Sequence, residues 1–196
     1  YETVSVSAST NAAVNDILSI HTQKSSKFPV PQPIGFIDFS NVPPFFFQLP
    51  QLWKRTVGDS YTWVVNFCTK SLIHPPTAKP CGKASYVSQY SDGVCRTNFD
   101  KNFSTHVLYS PSSPSSAARV VGVIFRSNVE LDNPLRTKWV EVAVRCDPSM
   151  KPNVVELDTH NSSYVVIDTV NPPNDRLYHM RLRSRCACAN GCVSAR

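Results

Sequence analysis

Lys138-Trp139-Val140-Glu141-Val142-Ala143-Val144-Arg145-Cys146 alternates apolar and polar character along most of its length. Val140, Val142, Val144 and Cys146 share one face with Lys138; Trp139, Glu141, Ala143 and Arg145 take the other. Successive side chains of an extended chain point to opposite faces, so this run reads as a strand with one buried side. Residues 177–183 repeat the pattern. Tyr178, Met180 and Leu182 face together, and His179, Arg181 and Arg183 face outward. Each strand begins its apolar face with a polar tip on an apolar stem, Lys138 in one and Tyr178 in the other. Such residues close a barrel mouth or line a small polar pocket at one end of a sheet.

The rest of the chain beyond Trp53 has the same texture. Residues 61–68 are rich in aromatic and β-branched side chains, which suit a pleated surface. Residues 84–90 form the next strand, closed by the turn Ser91-Asp92-Gly93. Further strands are expected at 106–109, before a Ser/Pro loop at 110–116, and at 120–126 and 164–170. With no helix among them, the class is all-β: an antiparallel sandwich or flattened barrel over residues 52–196. Residues 1–51 differ. They contain no Cys, begin Ser/Thr/Asn-rich and then carry prolines at a density that blocks helix interiors and central strands. A short helix is expected only at 11–21. Three consecutive phenylalanines, Phe45, Phe46 and Phe47, would not stay exposed in a monomer, so this extension is expected to pack on the main domain or on a protein partner.

Composition narrows the setting. Of 196 residues, 41% are hydrophobic and only 17% charged, against about a quarter charged in ordinary globular chains. Seven cysteines would lie idle in a reducing compartment unless they bound metal or did chemistry. Two sequons, at Asn102 and Asn161, fit N-glycosylation on the same secretory route. The expected setting is therefore extracellular, or the lumen of the secretory-endolysosomal pathway. No apolar run approaches the ~20 residues of a membrane helix. Tyr1 opens no signal peptide, so a mature or trimmed chain is expected, and a membrane anchor beyond Arg196 stays open. The net charge of +6 is spread along the chain except for Arg181, Arg183 and Arg185, whose alternation reads as a solvated strand edge. No nucleic-acid motif accompanies them, so no such partner is expected.

Catalytic signatures are absent: no Gly-x-Ser-x-Gly elbow, His-Glu-x-x-His pair or phosphate loop occurs, and His21, His74, His106, His160 and His179 are scattered. An enzyme is not expected, nor a cofactor. Cys186-Ala-Cys188-Ala-Asn-Gly-Cys192, even with His179, lacks zinc-ribbon spacing and a second knuckle, which favours disulfides over metal.

Four segments, in order, resemble the mannose-6-phosphate receptor homology domains, flattened β-barrels of lysosomal sorting receptors and luminal glycan-reading proteins. They are residues 61–68, ending in Cys68; residues 81–89, ending in Gln89; residues 138–147, with Cys146 eight residues after Lys138; and residues 178–188, running from Tyr178 to Ala187-Cys188. The likeness spans about residues 53–192. It implies a Cys146–Cys188 disulfide, closing a loop worth about 4 kcal/mol on the chain-entropy argument. It also implies that Cys68 pairs with Cys81 or Cys95, leaving the remaining cysteine, Cys186 and Cys192 open. A middle disulfide of the family lacks both partners here, with Arg176 at one of the positions.

The family holds a mannose ring with a glutamine, an arginine, a glutamate and a tyrosine. The resemblance carries Gln89 and Tyr178 onto the first and last of these, and Lys138 onto the arginine position, with Arg136 as an alternative two residues earlier. Asp168 is the candidate for the glutamate, with Asp175 as the alternative. Planar two-pronged groups suit adjacent sugar hydroxyls, which both donate and accept; a lysine cannot reproduce that fork. The implied ligand is a mannose-type glycan or glycoprotein. The other reading is a sugar-blind structural or interaction subunit that keeps the fold and docks through its Phe-rich extension.

Overall fold

The computed structural model describes residues 5–7, 17–21, 27–30, 35–48, 61–67, 69–110, 119–130, 137–158, 166–171 and 175–192. Those residues form strands β1 (Ser5–Ser7), β2 (Ile17–His21), β3 (Lys27–Val30), β4 (Gly35–Asp38), β5 (Phe45–Gln48), β6 (Thr62–Val65), β7 (Val87–Ser91), β8 (Val94–Phe99), β9 (Lys101–Tyr109), β10 (Val120–Glu130), β11 (Thr137–Cys146), β12 (Val155–Leu157), β13 (Val166–Asn171) and β14 (Asp175–Ser184). One turn of 3-10 helix, Arg185–Ala187, follows, and the described residues hold no α-helix. The chain is all-β.

The strands form two main sheets and a hairpin. The larger sheet runs β1-β2-β9-β10-β11-β14-β12, with β13 also on β14; the smaller runs β5-β6-β7-β8; β3 and β4 pair alone. The apolar faces read from the sequence form the layer between the sheets. Val140, Val142, Val144, Met180 and Leu182 are all buried there beside Tyr178. From the smaller sheet, Trp63 and Phe99 meet the Tyr178 ring edge-on, at 5.1 and 6.3 Å between centroids. The chain passes between sheets at the corner joining β8 to β9, where Asn102 adopts a positive φ of 51°. Asparagine tolerates that left-handed conformation better than most residues.

Two expectations are corrected. No closed barrel is found, and the large sheet is mixed rather than antiparallel: β11 and β14 run parallel, Lys138 opposite Arg176 through Cys146 opposite Ser184. The excursion through β12 and β13 lets the chain re-enter beside β11 in the same direction. Within 11–21, residues 17–21 are strand β2, antiparallel to β9, because pairing with an existing edge outweighs a weak local helix preference; residues 11–16 lie outside the described residues. Finally, β5 pairs with β6, Phe47 opposite Trp63, and Ile37, Phe39 and Phe47 are buried in the core. Residues 45–48 thus contribute a strand to the sheet that also holds β6, β7 and β8. Of the three phenylalanines only Phe46 is largely exposed, at 41%.

Three disulfides staple the described chain. Cys146 at the end of β11 is bonded to Cys188, Cys186 to Cys192, and Cys81 to Cys95. Gly191 lets the Cys186–Cys192 loop close, since a Cβ there would run into the Arg185 carbonyl. Cys81 and Cys95 take each other, so neither is available to Cys68, contrary to the expected pairing. Cys68 lies outside the described residues. With the other six paired, no cysteine of this chain remains for it. Three closed bridges suit an oxidising environment. Among the described residues no helix is long and apolar enough to cross a membrane, and no group of three or more His, Cys, Asp or Glu side chains could hold a metal.

Candidate functional site

The turn at Asp92-Gly93 builds one wall of the site. Both residues have positive φ, 53° and 70°, which suits a tight two-residue hairpin and folds β8 back on β7. That pairing sets Gln89 opposite Thr97 on one side, while β6 sets Trp63 opposite Gln89 on the other. The Thr97 hydroxyl donates to Gln89 Oε1 at 2.8 Å, with Gln89 only 1% exposed. The other wall comes from the large sheet. Lys138, half-buried near the start of β11, reaches across the sandwich and donates through Nζ to Thr97 Oγ1 at 3.4 Å. Tyr178, 2% exposed, sits on β14 opposite Val140 and packs its ring on Trp63.

Gln89, Lys138 and Tyr178 are thus gathered around Trp63 and Thr97 at one end of the sandwich. Asp168 stands directly across from Tyr178 in the β13–β14 pairing; its side chain lies outside the described residues, as do Arg136 and the side chain of Asp175. Thr97 was missing from the sequence reading. The Asp-Gly turn could have implied β8, but a bulge between Gln89 and Tyr90 shifts the pairing by one residue, so counting back from the turn misses the partner. Gln89 Nε2 is buried and has no hydrogen-bond acceptor among the described residues.

A second polar cluster lies on the outer face of the large sheet. Arg126, Glu141 and His179 form one row across β10, β11 and β14. Glu141 meets His179 Nδ1 at 3.0 Å and Arg126 Nε at 3.3 Å, and the Arg126 guanidinium sits 5.3 Å from the Trp139 ring centre. The hydrogen bond from His179, with Arg126 beside it, holds the Glu141 carboxyl below its ordinary range. Further along the same face, Arg145 grips Asp158 at 2.9 Å, and Arg183 pairs with Asp147 and Glu156. Arg183, one of three arginines read as a solvated edge, is therefore held in an ion-pair network. Of the two sequons, Asn102 is exposed at the sheet corner and its amide donates to Asn128 Oδ1 at 2.9 Å; Asn161 lies outside the described residues.

No family model matches this chain, and no curated protein matches it.

Proposed function

We propose that this chain is a lectin-like module of the secretory pathway or cell exterior that binds mannose-type glycans through Gln89, Lys138, Asp168 and Tyr178, with no catalytic step. The observation that carries this reading is the buried Nε2 of Gln89, which has no acceptor among the described residues and is set in a polar network with Lys138 beside the Tyr178 ring. An unpaired buried amide costs about 1–3 kcal/mol, which a sugar hydroxyl accepting from Nε2 would recover. The likeness to mannose-reading domains supplies the class of sugar.

Affinity should be low, because Lys138 offers a point charge where a planar two-pronged donor suits a diol better. Titration calorimetry of the oxidised protein with mannose and oligomannose tests the reading. Wild type should bind at millimolar sugar, Lys138→Arg should bind more tightly, and Gln89→Ala should not bind. No heat from wild type at millimolar sugar, with none gained in Lys138→Arg, would sink it. A second reading, the sugar-blind structural subunit, draws support from how little of Gln89 and Tyr178 reaches the surface. On that reading a buried water takes the Gln89 bond and the exposed Phe46 meets a protein neighbour.

A further inference from the structure

We propose that Thr97 is a positioning residue that fixes which end of the Gln89 carboxamide faces the ligand, so that the site accepts a ligand through its oxygen lone pairs. The inference rests on the glycan-binding reading for its ligand, but its geometry stands apart from it.

The Lys138 ammonium can only donate, so Thr97 Oγ1 accepts from it at 3.4 Å. A hydroxyl has one proton, and the Thr97 proton must then go elsewhere. Gln89 lies 2.8 Å away on the paired strand and offers its carbonyl oxygen. Were the amide turned over, its NH2 would point at Thr97 Oγ1. That oxygen would then face two donors, and its own proton would lose its acceptor. The network therefore selects the orientation with Oε1 toward Thr97 and Nε2 away from it. The same choice leaves Nε2 without an acceptor among the described residues. The group that completes the bond must be an acceptor, and a hydroxyl oxygen of a neutral sugar meets that need. Polarity thus runs one way through the site, from a charge on the large sheet, through Thr97 of the smaller one, to the amide that meets the ligand. Thr97 is 5% exposed and need not touch the sugar itself.

Thr97→Val keeps the β-branched shape and removes the hydroxyl; Thr97→Ser keeps the hydroxyl. The first readout is the side-chain amide of Gln89, followed by nitrogen-15 NMR in the oxidised protein without sugar. Wild type and Thr97→Ser should give two separate, slowly exchanging amide protons, whereas Thr97→Val should shift them and speed their exchange severalfold. The second readout is methyl mannoside binding, where Thr97→Val should weaken affinity at least tenfold and Thr97→Ser less than threefold. An unchanged Gln89 amide in Thr97→Val overturns the positioning role, as does full-strength mannoside binding by that variant. If wild type binds no mannoside, the glycan reading fails alone, and the Gln89 amide resonances still decide the role of Thr97.

Discussion

Phe39→Ala should be among the most damaging single substitutions in this chain, although the residue lies within the segment that composition sets apart. Its ring is 1% exposed, stacks on Phe67 at 5.3 Å and meets Phe125 edge-on at 5.2 Å. It therefore joins both sheets, since Phe67 follows β6 of the smaller one and Phe125 belongs to β10 of the larger. Truncating a fully buried phenylalanine removes its transfer energy and leaves a cavity, together about 3–5 kcal/mol. Loss of two aromatic contacts puts Phe39 at the upper end of that range. For a chain of this length each kcal/mol lowers Tm by about 2–4 °C, so a fall of about 10–20 °C is expected. Urea denaturation followed by tryptophan fluorescence measures the change at constant m-value, and Phe46→Ala is the internal control. Phe46 is exposed, and its truncation should cost no more than about 0.5 kcal/mol. If Phe39→Ala costs under about 1 kcal/mol, the segment before residue 51 is an appendage and the core has been misassigned.

Other expectations follow from single contacts. Replacing Cys146 and Cys188 by Ala should destabilise by about 4 kcal/mol, against about 2 kcal/mol for Cys186 with Cys192, because the loops span 42 and 6 residues; comparing the two double variants by urea denaturation checks the order. Thiol titration of the unfolded, unreduced monomer should find one reactive group per chain, at Cys68, and a count of three or more would mean an open bridge. Glu141 and Asp147 both have carboxyl pKa values below the ordinary range, Glu141 through its bond from His179 and Asp147 first through the Ser149 hydroxyl. Their contribution is thus present above the unfolded carboxylate range and lost as pH falls through the lower folded values. Stability should drop on acidification below about pH 4.5, less steeply in Glu141→Gln, and parallel curves for the two proteins would argue against the His179–Glu141–Arg126 row. Burial pushes the Tyr109 hydroxyl up to about 12, so the ultraviolet titration of Tyr109→Phe should lose a late-ionising tyrosine that wild type shows.

The sequence was most legible where one strand face is buried. The alternation from Lys138 to Cys146 and from Tyr178 to Leu182 specifies which residues point inward, because a slip of one position would turn every valine to solvent. Partnership was harder to read. Nothing in either strand says that they run parallel, since direction depends on the connection between them. The early strands were hidden for another reason. Proline and polar residues around β3, β4 and β5 mask short runs whose strand character comes from neighbours such as β6. At the candidate site, Gln89, Lys138 and Tyr178 came from the resemblance to a sugar-reading family. Thr97 did not, and a bulge decides which β8 residue stands opposite Gln89.

The parallel pairing of β11 with β14 also sets a timetable for synthesis. Strand β14 is made after β12 and β13, yet it lies between β11 on one side and β12 and β13 on the other. Until it emerges, the edge of β11 lacks that neighbour, and among the described residues the strands made in between have no other strand to pair with. Cys146 meanwhile waits for Cys188, 42 residues downstream, which at about 5–20 residues per second is about 2–8 s of translation. During that interval the nascent chain presents an open strand edge and an unpaired thiol together. Cys186 and Cys192 emerge around the correct partner and compete for that thiol, so insertion of β14 beside β11 is what directs Cys146 to Cys188. Oxidative folding of this chain is therefore a problem of order, in which the last long strand closes the sheet and then selects the disulfide.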